Sequence, residues 1–518
     1  MKKSPKNKKG KGSKHKEGKK SNEDDMMKAK VVIEESEDLK EEFKGDQLEE
    51  QKDLNGIRKD FKVEDEKTAC LPLPMSFSES WNILKEKLMN IATNKANQEI
   101  SDIISLIKWC IDKNKIEDDK IKLGGLESIL SSFEPTEINS FLTDTIPFIA
   151  SSALQIETLF DSKNSLDLLM SQNATEIELS RSQIVCLLAH CFLCSLPLAK
   201  ALKGSRFKCF YSLYTGGMHN LYKNKLLFLI NYFDSMKMMK VVKEDRVKYK
   251  RLVIPMKEYE RLNTKYWLSS KNPMQPITIK EKGGIEAVKN GILVDFANKY
   301  LGGAVLRKGA VQEEILFLTM PELLVTQFMC EKLADNEAML IQGLGLYGKY
   351  SGYSDNLRFK GRNEGSEKYS MIAIDALHFT NEYAILMQFQ PRPLLRELNK
   401  AFVGFNINKY EQDTSKKIVT GKWGCGAFKG HAQLKMMIQW LAASESGRKL
   451  VFCSFEDKVL SKAINVVNKY SKKTVGEVFE RLIKFQSHLY DNLLKSKNIK
   501  KACDLKSFNT LLFDFLLN

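Results

Sequence analysis

From about Lys248 onward, short β-rich runs alternate with helical patterns, and no other feature narrows the possible folds of this chain as much. The runs are Leu252-Val253-Ile254, Ile292-Leu293-Val294-Asp295-Phe296, Met339-Leu340-Ile341, Met371-Ile372-Ala373-Ile374 and Leu450-Val451-Phe452-Cys453. Helical patterns lie between several of them, including Glu322–Leu333 and His431–Ala443. Thr319 and Glu322 have capping-box spacing, with Pro321 in the first turn. Strands alternating with helices predict an α/β domain built on a mixed or parallel sheet. Ligands of such sheets bind beyond the strand C-termini, so the loops there are where function is sought.

The chain before Lys248 reads differently. Residues 1–67 are charged blocks with few aromatics, +9 over 1–20 and −8 over 21–67, and are expected to lack fixed structure. The cluster Lys2-Lys3-Ser4-Pro5-Lys6-Asn7-Lys8-Lys9 fits a nuclear import signal or a contact with polyanions, and no apolar segment follows it as a secretory signal requires. Leu71-Pro72-Leu73-Pro74 punctuates the start of order. From Ser78 to about Ser235 the spacing is helical, as in Trp81, Leu84, Leu88 and Ile91, or Ile103, Ile107 and Ile111. The expected divisions are a tail over 1–67, an all-helical accessory domain over 68–240 and a second domain over 241–518.

Charge and cysteine usage bound the function classes. The whole chain carries +16, which leaves +15 on the residues after 67 and points to a polyanionic partner. The longest apolar run, Ile184 to Leu196, is too short to span a bilayer and reads as a buried helix. Ten scattered cysteines fit reduced thiols in the nucleus or cytoplasm. Cys191-x-x-Cys194 falls inside a helical pattern without a second ligand pair of suitable spacing, so it reads as core packing rather than a metal site.

Two loops carry the chemistry. After the strand ending near Phe296 come Ala297-Asn298 and Gly302-Gly303-Ala304. After a strand near Ile418-Val419 comes Gly421-Lys422-Trp423-Gly424-Cys425-Gly426-Ala427-Phe428, ahead of the helix at His431. Small residues before a helix N-terminus offer backbone N–H groups to an anion, and two such loops fit a diphosphate clamped from both sides. Neither loop is a P-loop or a G-x-G-x-x-G fingerprint. Gln312-Glu313-Glu314 opens a helix just after the first glycine loop. Adjacent helical residues project about 100° apart, so the two carboxylates serve different tasks. One can hold ribose hydroxyls while the other reaches a glycosidic oxygen. Tyr347, Tyr350, Tyr353, Phe428 and Phe455 are the candidates for stacking on a base.

In these blocks the chain resembles the poly(ADP-ribose) glycohydrolase family. The signature is a glycine loop followed by Gln-Glu-Glu, here Gly302-Gly303-Ala304 and Gln312-Glu313-Glu314. Val294 to Asn298, Tyr350-Ser351-Gly352-Tyr353, Ile372 to Phe379, Arg396 to Ala401 and Trp423 to Phe428 also match, and the likeness runs from about Gln183 to Val478. The resemblance implies a macrodomain-like mixed sheet flanked by helices and carrying the helical accessory domain. It also implies hydrolysis of poly(ADP-ribose) chains on modified proteins, with the protein-linked unit left behind.

By the same resemblance Glu314 is the catalytic acid/base, Glu313 and Asn298 orient the ribose, and Asp295 supports the site. Ile285, Glu286 and Gln312 fall at substrate-contacting positions. Tyr353 and Phe455 fall around the adenine, and Tyr350, in the matching Tyr350-Ser351-Gly352-Tyr353 block, is counted with the substrate-binding residues. Gly302, Gly303, Ala304 and Val305 form the first diphosphate loop, and Lys422, Trp423, Gly424, Cys425, Gly426 and Ala427, with Phe428, form the second. Ala304 departs from the family's third loop glycine, which matters if that residue needs positive φ. No cofactor or metal, no membrane contact, no direct reading of nucleic-acid sequence and a monomeric state are expected. Two alternatives remain at this point: a non-catalytic ADP-ribose reader, and hydrolysis of the final protein-linked ADP-ribose.

Overall fold

The structure, a computed structural model, describes residues 69–93, 98–116, 121–160, 164–198, 202, 207–217, 219–239, 245–379, 384–411, 413, 415–494 and 511–518. The charged segment 1–67 and its lysine cluster lie outside the described residues.

Eight strands form the main sheet in the order β3-β4-β7-β10-β6-β11-β12-β5. They are β3 (Glu176–Ser180), β4 (Arg246–Val253), β5 (Ile277–Lys280), β6 (Gly291–Ala297), β7 (Glu337–Gly345), β10 (Lys368–Asp375), β11 (Lys417–Thr420) and β12 (Leu450–Cys453). From β10 to β5 all neighbours are parallel, whereas β3, β4, β7 and β10 pair antiparallel, so the sheet is mixed. Two small pairs complete the strands: β1 (Cys70–Pro72) with β2 (Ser165–Asp167), and β8 (Gly348–Ser351) with β9 (Arg358–Arg362).

Alternation along each strand splits the core in two. Leu293, Ile341, Met371, Ala373, Val419 and Val451 face one apolar cluster, whereas Ile292, Val294, Leu340, Ile372, Ile374, Ile418 and Phe452 face another. The first cluster is shared with the helical part, including α1 (Ser78–Thr93), α2 (Ile100–Lys113), α3 (Arg181–Phe192) and α4 (Asn220–Met238), and with α5 (Gln312–Thr319). The second is covered by α6 (Pro391–Phe405), α7 (Ala432–Glu445) and α8 (Val475–Leu494). A sheet with helices on both faces buries near-continuous apolar strands, as β12 is throughout.

Three readings of the sequence need correction. The segment 68–240, expected to be all helical, contains β1, β2 and β3, and β3 is an edge of the main sheet. Its Glu176-Ile177-Glu178-Leu179 alternates with period two, a signal too short to stand out beside the long helix that follows. Glu322–Leu333 is not one helix but a 3-10 turn over Pro321–Val325 and a single helical turn over Thr326–Met329. The proposed cap fails because Glu322 is buried against the Arg181 guanidinium and accepts from the Tyr347 hydroxyl and the Gly345 amide. Thr319 instead donates to the Ile315 carbonyl within α5. Cys186, Cys191 and Cys194 are buried free thiols packed in the core of the helical part.

Candidate active site

β6 ends mid-sheet, and the site is assembled around that end. Asp295 shares its face with Leu293, toward α5, because the two are separated by one strand period. The Gln312 side chain docks the first turn of α5 onto β6. Its Oε1 accepts from the Phe296 amide at 2.9 Å, and its Nε2 donates to the Val294 carbonyl at 3.0 Å. That amide bridge continues the ladder past β11, which pairs with β6 only as far as Leu293. Ile315, Leu316, Phe317 and Leu318 bury the rest of the helix. The result fixes Glu313 and Glu314 beside Asp295.

The glycine loop then wraps these two carboxylates. Glu313 accepts from the amides of Asn298 (3.0 Å) and Gly302 (2.7 Å), and Glu314 from those of Ala304 (3.0 Å) and Val311 (2.9 Å). Gly303 has φ +50°, and a Cβ there would fall 2.6 Å from Glu313 Oε2 and 2.7 Å from Glu314 Oε1. Glycine is required because backbone passes directly over two carboxylates. Ala304 keeps φ outside the left-handed region, so its methyl costs no backbone strain. Its methyl carbon would lie 2.7 Å from a Cβ on Gly309, and the glycine at 309 makes the room.

All three carboxyl groups are buried. Neither oxygen of Asp295 has a hydrogen-bond partner among the described residues. Burial, reinforced by the charge of Glu314, pushes Asp295 well above the usual carboxylate range. Glu313 is also pushed well up, by burial and then by Asp295 and Glu314, while the amides of Asn298 and Gly302 pull it back. Asp295 and Glu313 therefore keep their protons to higher pH than exposed carboxyls do.

A residue that the sequence reading missed supports the loop from behind. Lys225, on α4 of the helical part, is fully buried and donates to the carbonyls of Val305 (2.7 Å), Arg307 (2.5 Å) and Gly309. Burial pushes its ammonium down to about 7, with Glu314 pulling it back up. In Tyr222-Lys223-Asn224-Lys225 it reads as one more solvated lysine, and nothing local marks it.

A cavity of about 830 Å³ opens onto the carboxylates. Of the residues singled out from sequence, Asn298, Gly303, Ala304, Gln312, Glu313, Glu314, Tyr353, Lys422, Gly424, Cys425, Gly426, Ala427, Phe428 and Phe455 line it. Phe455 holds φ +56° and remains 37% exposed, and Tyr353 is 47% exposed. An aromatic kept open to solvent on strained backbone is a mark of function rather than packing. Asp295, Gly302 and Val305 sit just behind this wall. Ile285 is buried, while Glu286 accepts from the Tyr350 hydroxyl at 2.9 Å and Tyr350 packs edge-on to Tyr353.

Some expected contacts are not made. Trp423 is buried, donates to the Ile374 carbonyl and lies under the Lys435 ammonium, so it supports the second loop from below. Tyr347 is buried with its hydroxyl on Arg181 and Glu322, away from the cavity. The first glycine loop does not present free N–H groups. The amides of Gly302 and Ala304 go to Glu313 and Glu314, and that of Gly303 to the Tyr300 carbonyl. The second loop differs: the amides of Gly426 and Ala427 meet no acceptor among the described residues, and Gly426 faces open space. Backbone N–H groups without an acceptor among the described residues therefore lie in the loop ahead of α7.

Two family models cover this architecture. The helical-domain model of poly(ADP-ribose) glycohydrolase matches residues 133–251, and its macro-domain-fold model matches 264–462. The chain belongs to the poly(ADP-ribose) glycohydrolase family. Its main domain accordingly has the macrodomain fold, and β3 and most of β4 of the main sheet fall within the span of the helical-domain model. A probable poly(ADP-ribose) glycohydrolase 2 of Arabidopsis thaliana is 28% identical over 420 residues, 68% of this chain and 79% of that protein. Poly(ADP-ribose) glycohydrolase 2 of Caenorhabditis elegans is 34% identical over 255 residues, 46% of this chain and 51% of that protein. A crystal structure of the Deinococcus radiodurans glycohydrolase with ADP-ribose aligns at 12% identity and a TM-score of 0.26, over 45% of this chain and 94% of that one.

Proposed function

We propose that this chain hydrolyses the ribose–ribose O-glycosidic bonds of poly(ADP-ribose) and releases ADP-ribose, with Glu314 as general acid and base. The observation that carries this reading is the carboxylate set at the end of β6. Glu313 and Glu314 are buried yet reach the cavity wall, with unpartnered Asp295 behind them.

In the forward step Glu314 gives its proton to the departing ribose oxygen as the bond to the anomeric carbon breaks and positive charge develops there. The resulting Glu314 carboxylate then takes a proton from water, whose oxygen attacks that carbon. One carboxylate serves both steps, unlike the usual two-carboxylate arrangement. Glu313, anchored by the Asn298 and Gly302 amides, keeps lone pairs for ribose hydroxyls. The second loop takes the diphosphate and Phe455 and Tyr353 flank the base. Loops, carboxylates and aromatics all come from one chain, which supports a monomer as the working unit.

A non-catalytic reader needs anion loops but no cluster of three buried carboxyl groups at the cavity. The experiment is digestion of poly(ADP-ribose) by the wild type and by Glu314→Gln. The wild type is expected to release ADP-ribose, and the variant to lose at least about 100-fold in rate while still binding ADP-ribose. Near-normal release by the variant would remove Glu314 from the mechanism.

A further inference from the structure

The cavity continues past the carboxylates. At this edge of the sheet the end of β6 is flanked by β11 and β12 on one side and by β10 and β7 on the other. The second loop and Phe455 follow β11 and β12, so that side takes the ADP-ribose unit described above. The opposite wing is lined by Lys299, Tyr300, Gln327 and Lys332, with Phe207 and Lys208 from the helical part. It is built rather than incidental: the Leu333 amide donates to the Lys299 carbonyl at 2.8 Å, and the rings of Phe207 and Phe328 lie 5.2 Å apart. Tyr300 stands 37% exposed at its rim, held by its own amide on Asn298 Oδ1 at 3.0 Å. Lys299 and Lys332 are exposed and enter no ion pair among the described residues. Glu331 also lines the wing, but its carboxylate accepts from the Ser171 amide at 2.9 Å.

We propose that this wing is a second nucleotide subsite, holding the next ADP-ribose unit of the chain on the leaving-group side of the scissile bond. The inference rests on the glycohydrolase reading. Cleavage between two ribose units leaves a second adenine and a second diphosphate attached to the departing oxygen, and that oxygen is beside Glu314. An exposed tyrosine ring suits the adenine face, and the lysines suit a dianion. Both lie on the side not used by the released unit. Ordering the departing unit aligns the scissile oxygen with Glu314, so the wing favours chains over single protein-linked units.

The test compares the wild type with Tyr300→Ala, Tyr300→Phe and the double variant Lys299→Ala/Lys332→Ala. For each, kcat/KM on poly(ADP-ribose) chains and the calorimetric Kd of free ADP-ribose are measured. Tyr300→Ala and the double variant should lose about tenfold in kcat/KM on chains, with ADP-ribose Kd within about twofold and Tyr300→Phe close to wild type. Unchanged chain cleavage in both variants, or a parallel loss of ADP-ribose affinity, would overturn the subsite. A wild type that binds ADP-ribose but cleaves no chains would instead overturn the glycohydrolase reading, and the subsite with it.

Discussion

Asp295 and Asp375 stand on neighbouring parallel strands, two residues apart in register, and both are buried. Their surroundings are opposite. Asp375 is paired with Arg396 Nη2 and Lys400 Nζ, each at 2.6 Å. Arg396 also reaches Glu397, which in turn pairs with Lys435. Burial opposes ionisation of Asp375, but Lys400 and Arg396 overcome it and hold the carboxyl below its ordinary range. Asp295 has burial without pairing, and Glu314 adds a like charge, so its shift runs the other way. Depth is therefore not what separates the two; compensation is. Cores tolerate buried carboxylates by pairing them, and an unpaired one such as Asp295 persists where chemistry uses it.

The largest expected effect comes from breaking the compensated cluster. Asp375→Asn leaves Lys400 buried without its countercharge, and Arg396 with Glu397 and Asp335 alone, and should cost about 3–5 kcal/mol in denaturant unfolding. Because the Asp375 shift is downward, its contribution is complete above the unfolded value of about 4 and is lost as pH falls below that toward the lower folded value, so the gap to wild type should narrow in acid. A variant of wild-type stability would mean that the pairing contributes nothing.

Lys225→Met lies between the two extremes, since it removes a buried cation that holds the loop backbone and also faces the charge of Glu314. Three loop carbonyls lose their donor, and the expected cost is about 1–3 kcal/mol, with a fall in kcat/KM on poly(ADP-ribose). Intact turnover would show that the loop keeps its shape without help from the helical part.

The smallest effect should be opposite in sign. Asp295→Asn removes an unpaired buried acid and should raise stability at neutral pH by about 1 kcal/mol while lowering activity. An acid whose folded pKa is raised binds its proton more tightly when folded. Its contribution is complete below the unfolded value and is lost as pH rises, so the advantage of Asp295→Asn should grow above about pH 4. A stability loss at every pH would place Asp295 with Asp375 as a structural group.

The sequence made the reactive cluster legible because its parts are close in the chain. Asp295 near the end of a strand, a glycine loop and Gln312-Glu313-Glu314 fall within twenty residues, and strand and helix periods say which way they face. The compensated cluster was visible only as two blocks without a role, Ile372 to Phe379 and Arg396 to Ala401. Their meeting depends on α6 packing against β10, which no local pattern encodes. Lys225 was hidden for the same reason: its partners are carbonyls some eighty residues away. Tyr347 was placed with the stacking aromatics because glycines surround it, but the Arg181–Glu322 pair draws its hydroxyl inward.

At neutral pH the cluster at the end of β6 should hold a proton on Asp295 that Asp375 does not hold. Infrared difference spectroscopy of protein with isotope-labelled aspartate measures that directly at neutral pH. The predicted result is a protonated-carboxyl stretch that vanishes in Asp295→Asn and survives in a conservative variant of the other cluster, Asp375→Glu. The absence of any such band in the wild type, or its loss only when Asp375 is replaced, would contradict it.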